Sequence, residues 1–360
     1  MPALGPNVPK PWFVVPRPNA AATGTWRPQR LAARAGAAVA AVAAAAVIAA
    51  LASGLLLAHI DGGPTAAWAR STGHDALWMG RTWAGGSYTR ADFDQLTGHL
   101  RDSGVSDVYV FAGQMDSRGH LGPAAYDRVR SFLAAFHAAL PRIRVSAWLS
   151  GVLGPGNISL ARPATRGAIV ATVATLLRAG FSGLHYDLEP VPDGDQDYLR
   201  LLGATDALRQ RPEPLSVSVP KLEPLPGLRL PWQAAGVGPV FWTTGYLARV
   251  SSRVNQVALM AYDTSMPLGS WYGGYVARQA ELALRAVPPR VRLLIGVPCY
   301  HYTSLAHEAS AETVASAVHG VRVALTERRA RGRDVGVALF ADYSATAQDW
   351  RSYQSGWVRP

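Results

Sequence analysis

Between residues 76 and 341 the chain alternates short apolar runs with stretches of helical periodicity, and it does so eight times. The runs cover residues 76–79, 107–112, 143–149, 183–189, 215–219, 256–262, 291–297 and 335–341. Several are nearly continuous in Val, Leu, Ile and Ala, the pattern of strands buried on both faces. Between them, residues 89–103, 126–139, 166–179, 198–210, 275–287 and 311–331 place apolar side chains at helical spacing. Thr89 stands three residues before Asp92, which predicts a capped helix start, and Gly180 marks a stop. Eight such units predict an α/β fold, a (β/α)8 TIM barrel over residues 76–360. An open doubly wound sheet is the alternative, but no glycine-rich dinucleotide turn follows the first run. The stretch 221–254 is irregular and rich in aromatic residues.

The N-terminal part is different in kind. Residues 1–34 hold seven prolines, the cations Lys10, Arg17, Arg27, Arg30 and Arg34, and no acid, so a disordered leader is expected. Residues 35–58 carry no charge and are long enough, as a helix, to cross a bilayer. All five flanking cations precede this segment and Asp61 follows it, which predicts a cytoplasmic N-terminus. A cleaved signal peptide would have a shorter leader and an apolar core of about 7–15 residues. The expectation is therefore a single-pass plasma-membrane anchor, a linker at 59–75, and a barrel outside the cytoplasm.

The formal charge of +11 divides unevenly. Five of the 35 cations lie in the leader and all 24 acids lie beyond residue 60, leaving the outer part with thirty cations against 24 acids. Arginine supplies nearly all of that excess and is scattered, so no nucleic-acid stripe is present. Cys299, the only cysteine, excludes an intramolecular disulfide and a cysteine-rich metal site.

The fourth run carries the chemistry. In the strand Gly183-Leu-His-Tyr-Asp-Leu-Glu189, His185, Asp187 and Glu189 share one face. Pro190 and an acidic, glycine-containing segment end the strand at Glu189. A polar triplet on a buried strand is costly unless its members are paired or at work. Carboxylates at the C-terminal end of a barrel strand suit acid–base catalysis.

Ser182-Gly-Leu-His-Tyr-Asp-Leu-Glu189 resembles the fourth-strand motif Asp-Gly-x-Asp-x-Asp-x-Glu of glycoside hydrolase family 18, the chitinase-like barrels. Gly183, Asp187 and Glu189 match, while Ser182 and His185 replace aspartates. Met260-Ala-Tyr-Asp263 reproduces the family's sixth-strand Met-x-Tyr-Asp in full. The third-strand Ser-x-Gly-Gly is absent from Ser146-Ala-Trp-Leu-Ser-Gly151.

The resemblance implies a glycosidase acting on an N-acetylhexosamine-containing polysaccharide or glycan, with no metal and no organic cofactor. Glu189 would be the general acid, and Asp187 would orient the substrate acetamido group, whose oxygen attacks the anomeric carbon in place of a protein carboxylate. Tyr262 would hold that oxygen and Asp263 would position the sugar. Phe340 stands where the family has a tryptophan floor. His185 could become cationic and keep Asp187 ionised. Trp271 and Tyr272 in a glycine-rich stretch, Tyr300 after the seventh strand, and Trp148 on the third are further candidate sugar contacts; Trp83 is a weaker one. Two rival readings remain. One is a catalytically weak or inactive carbohydrate-binding barrel; the other is ordinary two-carboxylate chemistry using Asp263 or Asp116 opposite Glu189.

Overall fold

A computed structural model of the chain describes residues 28–122, 128–208, 214–224 and 241–360, with side chains from residue 44 onward. All eight expected strands form: β1 (Asp75–Met79), β2 (Val105–Gln114), β3 (Arg144–Val152), β4 (Gly183–Glu189), β5 (Leu215–Val219), β6 (Gln256–Met260), β7 (Arg292–Pro298) and β8 (Val335–Phe340). They close into one parallel barrel in chain order, with β8 returning to β1 through Ala76↔Ala338 and Leu77↔Leu339.

The period-two alternation of each strand creates two apolar layers. Leu77, Val108, Val145, Leu184, Val217, Val257 and Leu293 point outward and are buried with the surrounding helices. Ala76, Trp78, Tyr109, Trp148, Ala258, Leu294 and Ala338 point inward and form a separate cluster inside the barrel. Neither face of the sheet meets solvent, which is why the strands read as apolar runs.

The helices are α1 (Pro28–Asp61), α2 (Arg81–Ala84), α3 (Arg90–Arg101), α4 (Val129–Ala139), α5 (Pro163–Ala179), α6 (Gln196–Leu208), α7 (Thr244–Ser251), α8 (Gly269–Ala286), α9 (Val314–Glu327) and α10 (Ala347–Tyr353). Thr89 caps α3 in a full capping box with Asp92, and Gly180 ends α5 in the left-handed conformation. The expected helix ends at Tyr126 and Gln210, and residues 1–27 of the leader, lie outside the described residues, whereas residues 28–34, expected to be disordered, open helix α1.

Two expectations are corrected. Helix α8 begins at Gly269, six residues before the predicted start, so its glycines are helical. A side-chain carbon at Gly274 would collide with the Leu57 carbonyl, and one at Gly320 with the Gly273 carbonyl. These glycines serve close helix packing. Residues 59–75 are also more than a linker: α1 continues to Asp61, Ala69 is buried, and Arg322 Nε donates to the Ala69 carbonyl at 2.9 Å.

Residues through Leu51 form one compact unit and residues from Ala52 another. Within α1, Ala44–Asp61 is long and apolar enough to cross a membrane.

The N-terminal end of the barrel is closed by buried charge. Asp107 has no exposure and accepts from Arg144 Nε at 2.8 Å and Arg292 Nη1 at 2.6 Å. Burial alone would raise its pKa, but Arg144, Ser106 and Arg292 together reverse that and leave it below the usual value. A depressed carboxylate pKa stabilises the fold above the unfolded value near 3.9, and that contribution is lost as pH falls through the folded value. Asp107→Ala, which removes a partner from Arg144 and Arg292 but leaves Arg292 bonded to Asp334, is expected to cost about 1–3 kcal/mol in urea unfolding at neutral pH. A loss below about 1 kcal/mol would show that the pair is not clamping the strands.

Candidate active site

The inward residues of β4 climb from the barrel interior to its C-terminal rim. His185 is fully buried, Asp187 is partly exposed and Glu189 is exposed. Register with β3 sets Asp187 beside Ser150 and Glu189 beside Val152.

At the bottom of this column, Trp78 Nε1 donates to His185 Nε2 at 3.0 Å. An indole N–H only donates, so Nε2 is the acceptor and the proton belongs on Nδ1. Nδ1 then donates to Ser216 Oγ at 2.8 Å. Ser216 donates to the Tyr109 hydroxyl at 3.3 Å, and Tyr109 donates to Gln256 Oε1 at 3.1 Å. The imidazole also stacks on the Tyr109 ring, 3.9 Å between centroids. Burial pushes the His185 pKa down to about 3. The expected cationic histidine is therefore corrected to a neutral one, and with no exposed surface it is not a sugar contact.

One layer up, Asp187 Oδ2 accepts from Trp148 Nε1 at 2.9 Å. Burial raises the Asp187 pKa, while hydrogen bonds from Trp148 and Ser218 oppose the rise. Glu189 reaches the opening, yet enough protein surrounds its carboxyl to push the pKa up to about 7. Desolvation is the largest cause, followed by the charge of Asp187; Lys221 pulls the other way and Asp263 adds a small further rise. The donors aimed at Asp187 favour its charged form without cancelling the effect of burial, so both carboxyls are raised and the pair titrates as a unit.

A cleft of about 400 Å³ opens above the pair and is lined by Trp78, Asp187, Glu189, Ser218, Lys221, Tyr262, Asp263 and Phe340 among others. Tyr262 and Phe340 stack with centroids 5.3 Å apart and a 22° interplanar angle. Tyr300 donates its hydroxyl to Asp263 Oδ1 at 2.5 Å. Asp263 adopts a left-handed backbone (φ 58°) directly after Tyr262. Lys221 Nζ donates to the carbonyls of Tyr262 and Asp263 at 3.0 and 2.9 Å.

The structure thus brings Glu189, Asp187, Tyr262, Asp263 and Phe340 around one opening, with Trp148 bonded to Asp187 and Tyr300 to Asp263. Trp271 and Tyr272 are not brought there. Both lie in the first turn of α8; the Trp271 ring packs on Gly54, and Tyr272 is fully buried. Trp83 is buried and donates Nε1 to Asp342, a core role. Asp116 sits in the loop after β2, accepting the N–H groups of Arg118 and His120 at 2.9 Å each, and does not line the cleft. Cys299 is buried, with its pKa raised chiefly by desolvation.

Lys221 and Ser218 escaped the sequence reading. Lys221 is the only lysine beyond residue 10, a signal that could have singled it out. Ser218 follows from strand alternation in β5, two residues after the inward Ser216.

No family model and no curated protein matches the chain. Its closed (β/α)8 barrel is shared with solved structures of chitinases and of a spore cortex-lytic enzyme. The Bacillus cereus spore cortex-lytic enzyme SleL aligns with 79% of this chain and 74% of its own, at a TM-score of 0.55 and 12% identity. A chitinase from Chromobacterium violaceum aligns with 78% of this chain and 98% of its own, at 0.52 and 16%. A family 18 chitinase from Cycas revoluta, solved with (GlcNAc)3, aligns with 79% and 99%, at 0.53 and 13%.

The buried histidine makes a stability prediction. Its folded pKa near 3 lies below the unfolded value of about 6.5, so the unfolded chain binds more protons between those limits. Stability should therefore fall as pH drops from 6.5 toward 3. Urea midpoints of the full-length chain at pH 7 and pH 4.5 should separate, and His185→Gln should narrow the gap. Equal pH slopes in both proteins would mean that the imidazole is not held neutral.

Proposed function

We propose that the chain is a glycosidase that cleaves an N-acetylhexosamine-containing polysaccharide or glycan by substrate-assisted, retaining catalysis. The observation that carries this reading is the Glu189 carboxyl held near pKa 7 at the mouth of the cleft, beside a partly exposed Asp187 that receives its own donors. A neutral carboxylic acid at physiological pH is what protonation of a glycosidic oxygen requires.

In this reading Glu189 passes its proton to the leaving oxygen as the anomeric C–O bond breaks. The substrate's acetamido oxygen forms the new bond to the anomeric carbon, and Asp187 takes the developing positive charge of the amide N–H. The Tyr262 hydroxyl orients the acetamido oxygen, and Asp263, braced by Tyr300, hydrogen-bonds the same sugar. Water then attacks the anomeric carbon from the face the leaving group vacated, the bond to the acetamido oxygen breaks to restore the amide, and Glu189, now ionised, accepts the water's proton. Phe340 and Tyr262 offer apolar ring faces to the sugar. The fold shared with chitinases and with a cortex-lytic enzyme supports the same substrate class.

The apolar segment at 35–58 is assigned as a single-pass anchor with the N-terminus cytoplasmic and the barrel outside the plasma membrane. The length and composition of α1 support that assignment.

A second reading, a carbohydrate-binding barrel without turnover, draws on His185. A neutral, fully hydrogen-bonded imidazole offers Asp187 no carboxylate with which to share a proton. Fluorogenic N-acetylglucosamine oligomers, assayed with the full-length chain in detergent, separate the two. Glu189→Gln is expected to lower kcat by about 10²–10⁴-fold. Activity should decline about tenfold per pH unit above 7 as Glu189 ionises, and Lys221→Met, which removes a cation that depresses that pKa, should move the decline to higher pH. Oligomer binding without hydrolysis would favour the second reading, and hydrolysis untouched by Glu189→Gln would remove the first.

A further inference from the structure

Behind Asp263 lies a cluster that the proposed chemistry does not use. His307 and Glu312, in the segment between β7 and α9, have 0% and 1% exposure. Glu312 Oε1 is well supplied, accepting from the Thr264 and Ser265 backbone N–H groups at 2.9 Å each and from the Thr264 hydroxyl at 3.1 Å. Its other oxygen, Oε2, is buried without a hydrogen-bond partner among the described residues, and so are both ring nitrogens of His307. The hydroxyl of Tyr272 is a fourth orphan, held protonated by burial and then by the nearby Glu312 and Asp263 charges. A buried polar atom left without a partner is costly, so several in one place call for a missing ligand.

The geometry says what kind. His307 Nδ1 lies 3.2 Å from Glu312 Oε2 and 3.6 Å from Asp263 Oδ1, aligned for a hydrogen bond with neither. One donor atom from each of the three residues falls within 4.8 Å of the others. Three ligands bound tetrahedrally to one Zn²⁺ at about 2.0–2.1 Å stand roughly 3.4 Å apart. Two carboxylates and one imidazole also supply the negative charge that a divalent cation needs in a buried place.

We propose that Asp263, His307 and Glu312 form a binding site for one divalent transition cation, Zn²⁺ being the best match to this donor set. His307 and Glu312 are sealed from solvent, so the cation is structural and does not activate water for the reaction. It ties the loop after β6 to the loop after β7 and holds Asp263 at the cleft edge in its left-handed conformation. This site does not depend on the proposed glycosidase activity.

The test uses the full-length chain in detergent, stripped with a chelator and titrated with Zn²⁺ alone by calorimetry and thermal unfolding. Metal content after dialysis and the visible absorption of a Co²⁺-loaded sample give independent readouts. The expected result is one equivalent bound, a higher unfolding temperature on loading, and affinity reduced more than tenfold in His307→Ala. Asp263→Asn, at the half-open edge of the cluster, is expected to fold and to lose affinity similarly should the buried variant misfold. His301→Ala, an exposed histidine paired with Asp349, should bind as the parent does. No retained equivalent, or equal Zn²⁺ affinity in the parent and Asp263→Asn, overturns the proposal.

Discussion

The inward period of β4 is the constraint on which the rest depends. Closing eight parallel strands sends every second residue of that strand into the barrel, so His185, Asp187 and Glu189 are stacked along one column. Solvent reaches the top of the column and not the bottom. That gradient alone separates the three groups: the imidazole at the base stays neutral, and the two carboxyls above it share one proton. No single residue confers this. It results from a two-residue repeat meeting a closed barrel whose floor is already packed with Trp78, Tyr109 and Trp148.

The same packing decides which aromatic residues meet the cleft. Phe340 and Tyr262 stand at or just beyond strand ends and are carried to the cleft with the backbone, while Trp148 meets Asp187 from within β3. Trp271 and Tyr272 sit near glycines, and a glycine-rich stretch after a strand reads equally well as a sugar-binding loop or as the start of a tightly packed helix. The second applies here, because a side-chain carbon at Gly274 would meet the Leu57 carbonyl, and one at Gly273 the Asp61 carboxyl and the Ser316 carbonyl of α9. Periodicity cannot separate the cases, since the contact partners are 200 and 46 or more residues away in sequence for Leu57 and Gly320, respectively.

Much of the architecture was legible because it is local or repetitive. β4 and β5 match the expected bounds residue for residue, and the Thr89–Asp92 cap forms as its spacing implies. The acid pair was legible too, since Asp187 and Glu189 lie on one strand and need only alternation to share a face. What strand alternation could not supply was the partner shell. Lys221, Ser218 and the Trp148–Asp187 bond come from three different strand ends, and their meeting depends on barrel shear and register. His185 was placed on the correct face, but its charge depended on Trp78 and Ser216, which no spacing along β4 reveals.

The histidine beneath Asp187 has a consequence for proton economy. An acid at that depth could take up a proton or a charge; a neutral imidazole, committed to Trp78 on one nitrogen and Ser216 on the other, does neither. The negative charge on Asp187 is therefore favoured by Trp148 and Ser218, against a burial that raises its pKa. Tuning of the acid passes to the rim, where Asp187 and Asp263 raise the Glu189 pKa and Lys221 lowers it. Lys221 is itself anchored to the Tyr262 and Asp263 carbonyls, so the cation that sets the acid's strength is fixed by the same β6 terminus that supplies the opposite wall of the cleft. The segment after β6 thus holds the cation that lowers the Glu189 pKa, and a disturbance at Asp263 should be felt in that pKa.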